Sequence, residues 1–180
     1  DPELLGSTPE IDADRPELKA LSAEVVGAEK GVYAASARLT AFVHDRLAKV
    51  YGQSRDKASG GLAAGKGDCT GHALLFGALA RALGIPARGV LGLVYAQYED
   101  GTPALYWHAW AEVQSAGEWI AVDPIFGQPV ADATHLALGG GARGPLTPAR
   151  WPAGCSTLLG WLLPVTAFLV HRFRRSAHRT

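Results

Sequence analysis

Residues 68–83, Asp-Cys-Thr-Gly-His-Ala-Leu-Leu-Phe-Gly-Ala-Leu-Ala-Arg-Ala-Leu, restrict the fold of this chain more than any other stretch. After Asp68 the run holds one charged side chain, Arg81, and is apolar nearly all the way round. A surface helix shows one apolar stripe; a helix without a polar face has to be enclosed by other elements. Asp68 suits the N-cap, because its carboxylate accepts an unpaired amide of the first turn, and Gly84 with Pro86 ends the helix. The remaining chain therefore has to supply layers on both sides of this segment.

Candidates for those layers lie before and after it. Leu18, Leu21, Val25 and Val26 recur at helical spacing from Pro16 until Gly27. A second stripe, Val32, Ala35, Leu39, Phe42, Val43, Leu47 and Val50, predicts a helix over 32–51. Residues 52–67 hold five glycines and no periodicity and are expected to form a loop. Strand signals follow at Arg88–Tyr98, Leu105–Val113 and Glu118–Asp123, separated by Glu99-Asp100-Gly101-Thr102-Pro103 and by Gln114-Ser115-Ala116-Gly117. Helices first and an antiparallel meander afterwards predict an α+β domain over residues 16–138, preceded by a linker over 1–15.

Charge separates the C-terminal part from this domain. All 17 acidic residues lie within 1–132, with 11 basic residues before residue 89 and 6 from Arg143 onward. The first 140 residues carry 11 − 17 = −6 and the last 40 carry +6. The overall balance of zero argues against a nucleic-acid partner. Residues 139–150 read as a flexible Gly/Pro link. Residues 151–170 are uncharged and His171-Arg172-Phe173-Arg174-Arg175 follows at once, so 151–180 is an apolar-basic tail. Its expected role is membrane contact through residues 151–175, with the domain outside the cytoplasm; without insertion the domain would be cytoplasmic. Cys155, at the edge of this run, is expected as a free thiol or an anchoring site.

The chemistry-bearing residues gather around the apolar helix and the strands. Cys69 stands at the helix start, where unpaired amides and the helix dipole favour thiolate over thiol. Pairing Val113 with Glu118 across a four-residue turn places His108 opposite Asp123 on one sheet face. A carboxylate there orients the imidazole and stabilises its protonated form. A one-residue slip would break the pair, since it sends Asp123 to the other face. Trp110 shares the His108 face. A thiol at a helix start beside a His–Asp pair is the arrangement of thiol acyl-transfer chemistry. The competing reading, zinc held by Cys69, His72, His108 and Asp123, lacks familiar ligand spacing, so no metal or cofactor is expected. His72 is expected at the mouth of the site, with Trp107 and Trp110 as aromatic substrate contacts. His44 is expected part-exposed on its helix, and His135 in a structural hydrogen bond after the last strand.

Three blocks resemble one family. Gly67-Asp68-Cys69-Thr70-Gly71-His72-Ala73 with Ala80-Arg81-Ala82-Leu83-Gly84-Ile85-Pro86-Ala87-Arg88 is similar to the nucleophile helix of the transglutaminase-like superfamily. Trp107-His108-Ala109-Trp110-Ala111-Glu112-Val113 resembles its His strand. Trp119-Ile120-Ala121-Val122-Asp123-Pro124 resembles its Asp strand, with Phe126-Gly127-Gln128 and Ala133-Thr134-His135 continuing as in bacterial members. The resemblance implies a papain-like α+β core with Cys69 as nucleophile, His108 as general base and acid, and Asp123 as orienting carboxylate. It implies acyl transfer from an amide of a protein or peptide through a thioester. Hydrolysis is the first expectation, protein cross-linking the second and a silent binding module the third. No acidic calcium-loop pattern is present.

Overall fold

The computed structural model describes residues 4–52, 57–97 and 101–140. Two helices come first, α1 (Pro16–Val26) and α2 (Val32–Arg46), followed by β1 (Ala48–Lys49), α3 (Ala58–Ala64) and β2 (Lys66–Gly67). The central helix α4 (Cys69–Ala82) leads into β3 (Ala87–Gln97), β4 (Pro103–Ser115), β5 (Glu118–Val122) and β6 (His135–Gly140). The last four strands form one antiparallel sheet in the order β5-β4-β3-β6. The molecule is thus the expected α+β arrangement, a buried helix packed on an antiparallel sheet.

The enclosure that the apolar run demands is present. Leu74, Leu75, Phe76, Ala78, Leu79 and Ala80 of α4 are buried, with Leu18 of α1 and Leu39 and Val43 of α2 in the same core. Ala87, Ala111, Val113 and Val122 of the sheet complete that core. Arg81, the only charged residue within α4, is buried but satisfied: its Nε and Nη2 donate to the Ala87 carbonyl at 3.0 and 2.8 Å, and Nη1 to the Gly6 carbonyl at 2.8 Å. A buried cation needs such acceptors.

Several expectations are corrected. The segment read as a linker is part of the domain: Leu4, Ile11 and Ala13 are buried, and the Glu10 carbonyl accepts from Ala58 N at 2.9 Å. Its apolar residues are too sparse to show a period, so composition alone hid them. The second helix stops at Arg46 rather than at 51. Leu47 turns extended, and Ala48 N and Val50 N donate instead to the Gly65 and Gly67 carbonyls, in a short parallel ladder with β2. The expected glycine-rich loop contains α3, which tertiary contacts hold: Ser59 N and Oγ donate to the Asp12 carboxylate at 3.1 and 2.5 Å.

The β4–β5 register also differs. The hairpin closes through Ala116-Gly117 alone, with positive φ at both (51° and 89°), so Ser115 pairs Glu118 and Ala111 pairs Val122. This tighter turn matches the strand twist. It moves the ladder by two residues, which keeps every side chain on its expected face. The fourth strand, β6, was not anticipated, because its Gly139-Gly140 end reads as a link. It crosses β3 so closely that a Cβ on Gly92 would lie 2.1 Å from the Leu136 carbonyl oxygen. The tail 151–180, Cys155 and most of the Gly/Pro link lie outside the described residues. Among the described residues, no helix is long and apolar enough to cross a membrane.

Candidate active site

The first residue of α4 is Cys69, and the cap ahead of it forms as its sequence requires. Gly71 N donates to Asp68 Oδ1 at 3.1 Å. Gly67 passes so near Gly71 that a Cβ there would sit 3.3 Å from the Gly71 Cα. Cys69 is buried and packs with Ala109, Ile125 and Leu91. These neighbours tie it to the chain beside His108 and beside Asp123.

β5 flanks β4 only from Ala111 to Ser115. Next to His108 the place of a strand is taken by a turn, closed by mutual backbone hydrogen bonds between Asp123 and Gln128 at 2.9 and 2.8 Å. Asp123 therefore meets His108 diagonally rather than directly across. The expected pair nevertheless forms: His108 Nε2 lies 2.7 Å from Asp123 Oδ2, and both side chains are almost wholly buried. Phe126 stacks on the His108 ring at 5.0 Å between centroids, with Trp110 stacked at 6.1 Å. Phe126, 41% exposed, is a site residue that strand-based reading passed over, because it sits in the turn. Gly127, at φ 68°, lies against the His44 ring, and His44 Nδ1 is 3.1 Å from the Ile125 carbonyl. Helix α2 thus braces the same turn.

Asp123 accepts four N–H hydrogens. Its Oδ1 takes Ile125 N at 2.9 Å and Phe126 N at 3.1 Å. Its Oδ2 takes His108 Nε2 and also His135 Nε2, the latter at 2.9 Å. Burial alone would raise the carboxyl pKa, but the hydrogen bonds from His108 and His135, with the His108 charge, win and hold it well below the usual carboxylate range. His135 is the second residue that sequence reasoning underrated. The sequence suggests a structural hydrogen bond for it without indicating a partner, and strand β6 carries it to Asp123.

The remaining candidates are placed as follows. His72 has no exposed surface, so it does not line an open mouth; its Nδ1 donates to the Asp68 carbonyl at 2.8 Å and its Nε2 makes no hydrogen bond. Burial pushes its pKa down, which keeps the ring neutral. Trp110 is buried between the His108 and His135 rings, which it contacts at 6.1 and 5.1 Å. Trp107 is 38% exposed. Donor atoms of His108, Asp123 and His135 lie within 4.8 Å of one another, a group that includes neither Cys69 nor His72. Both rings direct an Nε2 hydrogen at one carboxylate oxygen, and that hydrogen bonding accounts for the cluster. A thiol at a helix N-terminus, next to residues that flank an oriented imidazole, is suited to nucleophilic attack on a carbonyl.

Known proteins resemble this chain in sequence and in fold. The family described as the transglutaminase-like superfamily matches residues 19–124. Among solved structures, a candidate cysteine protease from Cytophaga hutchinsonii is 23% identical with a TM-score of 0.64, over 77% of this chain and 46% of that one. The periplasmic domain of TgpA from Pseudomonas aeruginosa is 26% identical with a TM-score of 0.52, over 71% of this chain and 48% of that one. This chain thus aligns with about half the length of each of these structures. No curated protein matches it.

Proposed function

The chain belongs to the transglutaminase-like superfamily, and from that premise we propose that it is a thiol-dependent acyl-transfer enzyme that hydrolyses a peptide or side-chain amide. The observation that carries the reading is the buried His108–Asp123 pair at 2.7 Å, with Cys69 at the head of α4 packed against Ala109 and Ile125. The candidate cysteine protease among the fold neighbours is in keeping with it.

In this reading Asp123 holds Nε2 of His108, so the proton exchanged with Cys69 belongs on Nδ1. The Cys69 thiolate attacks the amide carbonyl, forming the S–C bond and an oxyanion beside the first amides of α4. His108 delivers its proton to the leaving nitrogen as the C–N bond breaks, which gives a thioester and a free amine. Water then attacks, giving its proton to His108, and the C–S bond breaks to release a carboxylic acid and restore the thiolate–imidazolium pair. The stack of Phe126 and Trp110 on the ring limits water around the imidazole. Trp107, with exposed surface, is the aromatic contact assigned to a protein or peptide substrate. The likeness to a periplasmic domain supports placing this domain outside the cytoplasm.

The test is the pH dependence of Cys69 alkylation by iodoacetamide. Rapid labelling well below the ordinary thiol pKa of about 8.5, lost in His108→Ala, is the expected result. Labelling that follows an ordinary thiol in both proteins would overturn the reading. Amide substrates would then be offered to the wild type and to Cys69→Ala, with turnover confined to the wild type.

A further inference from the structure

The histidine at the start of β6 takes no part in the steps above, yet its ring ends on the same carboxylate oxygen as the proposed base. An ionised carboxylate only accepts, so both His108 and His135 present an Nε2 hydrogen to Asp123 Oδ2. At the other end of His135, Nδ1 faces the Asp132 carbonyl at 3.2 Å and the Asp132 carboxylate at 3.3 Å. Those groups also only accept, so Nδ1 carries a hydrogen as well. The nearby Thr134 hydroxyl is no rival donor, because its hydrogen goes to Asp132 Oδ1. A hydrogen on each nitrogen satisfies all of these acceptors, so the geometry suits a cationic His135 between two carboxylates, with its side chain 4% exposed. The energetics agree: burial would push its pKa down, but Asp123, followed by Asp132, outweighs burial and raises it.

We propose that His135, as a cation shared between Asp123 and Asp132, is a positioning residue that draws off part of the Asp123 charge and so sets how tightly His108 holds its proton. The proposal deepens the acyl-transfer reading and takes its catalytic meaning from it. The His108 and His135 rings are 5.7 Å apart, so the cation also repels an imidazolium at His108 directly. Sharing the Asp123 carboxylate with a second cation weakens its hold on the His108 proton, which eases delivery of that proton to a leaving amine. The titratable groups facing His135 are Asp123 from the turn after β5, His108 from β4 and Asp132 from the loop before β6. Strand β3 meets His135 through backbone pairing at Val94, and Tyr106 lies two residues before His108 on the same strand face.

The sign of one shift separates charge sharing from mere support. His135→Gln keeps an N–H donor and removes the charge. Proton titration of the His108 ring, followed by NMR in the 180-residue chain, is expected to move up by about one unit in that variant. The alkaline limb of Cys69 alkylation should move the same way. A ring that only propped Asp123 in place would leave the His108 midpoint unchanged or, on its loss, lower it; either result overturns the proposal. Asp132→Asn, at an exposed carboxylate, provides a second variant that spares the core. It should lower the His135 midpoint, and an unmoved His135 midpoint would equally overturn the proposal. Failure of the acyl-transfer reading appears separately, as ordinary wild-type alkylation insensitive to His108→Ala, while the His108 shift is still read by NMR.

Discussion

Asp123 shows how much one side chain organises. Two backbone amides on Oδ1 shape the turn that stands in for a strand beside His108, and two imidazoles converge on Oδ2. The two kinds of group pull stability in opposite pH directions. Asp123 is depressed, so its contribution is present above the unfolded carboxyl value of about 3.9 and is lost as pH falls through the folded value. His135 is raised, so its contribution is complete below about 6.5 and is lost as pH rises through its folded value. Thermal melts across pH should therefore show a melting temperature that declines above neutrality. That alkaline decline should be reduced in His135→Gln; an identical decline in both would contradict a cationic His135. The His108–Asp123 pair was legible in the sequence because alternation along two strands fixes a face, and the two-residue change of register preserved it. His135 was not legible, since no periodic pattern precedes it and a lone polar residue after a turn carries no sign of its partner.

Strand β6 is the element on which the wider site depends. Its approach to β3 is possible only because residue 92 is a glycine: an added Cβ would lie 2.1 Å from the Leu136 carbonyl oxygen and 2.7 Å from the Trp110 ring. The former is backbone and cannot swing aside. Gly92→Ala should cost about 1–3 kcal/mol and lift β6 from the sheet, seen as faster amide exchange at Leu136 and Ala137. Gly139→Ala, where a Cβ meets nothing within 4 Å, is the matched control and should change little. Equal exchange in the two variants would show that the close approach does not matter. The sequence signalled β3, β4 and β5 through alternation and turn residues, whereas His-Leu-Ala-Leu-Gly-Gly resembles the link it leads into. Helix α3 was missed for a related reason: Ala-Ser-Gly-Gly-Leu-Ala-Ala has no apolar period, and its order comes from Glu10 and Asp12 far away in sequence.

On the scale of the whole molecule, the buried helix predicted the layered plan, but the boundary of the domain needed the structure. Residues 4–15 cap the end of α4 remote from Cys69, bury Leu4 and Ile11, and give Arg81 one of its acceptors. Deleting residues 1–15 should destabilise the protein by roughly 3 kcal/mol or more, from two large apolar side chains alone. A urea midpoint unchanged by the deletion would contradict this. Sparse apolar residues in an acidic, proline-containing segment do not announce such packing, which explains why it read as a linker.

The two-residue parallel ladder between β1 and β2 bears on the order in which this chain assembles. It fastens the segment just ahead of Cys69 to the end of α2, so the head of α4 is anchored from the helical side by a ladder separate from the four-stranded sheet. On the other side, His108 and Asp123 are joined through a hairpin with a two-residue turn. Each half of the site is thus closed by contacts between segments near each other along the chain, where the entropy lost on loop closure is small. Docking of the two halves then sets Cys69 against Ala109 and Ile125, the neighbours of His108 and Asp123.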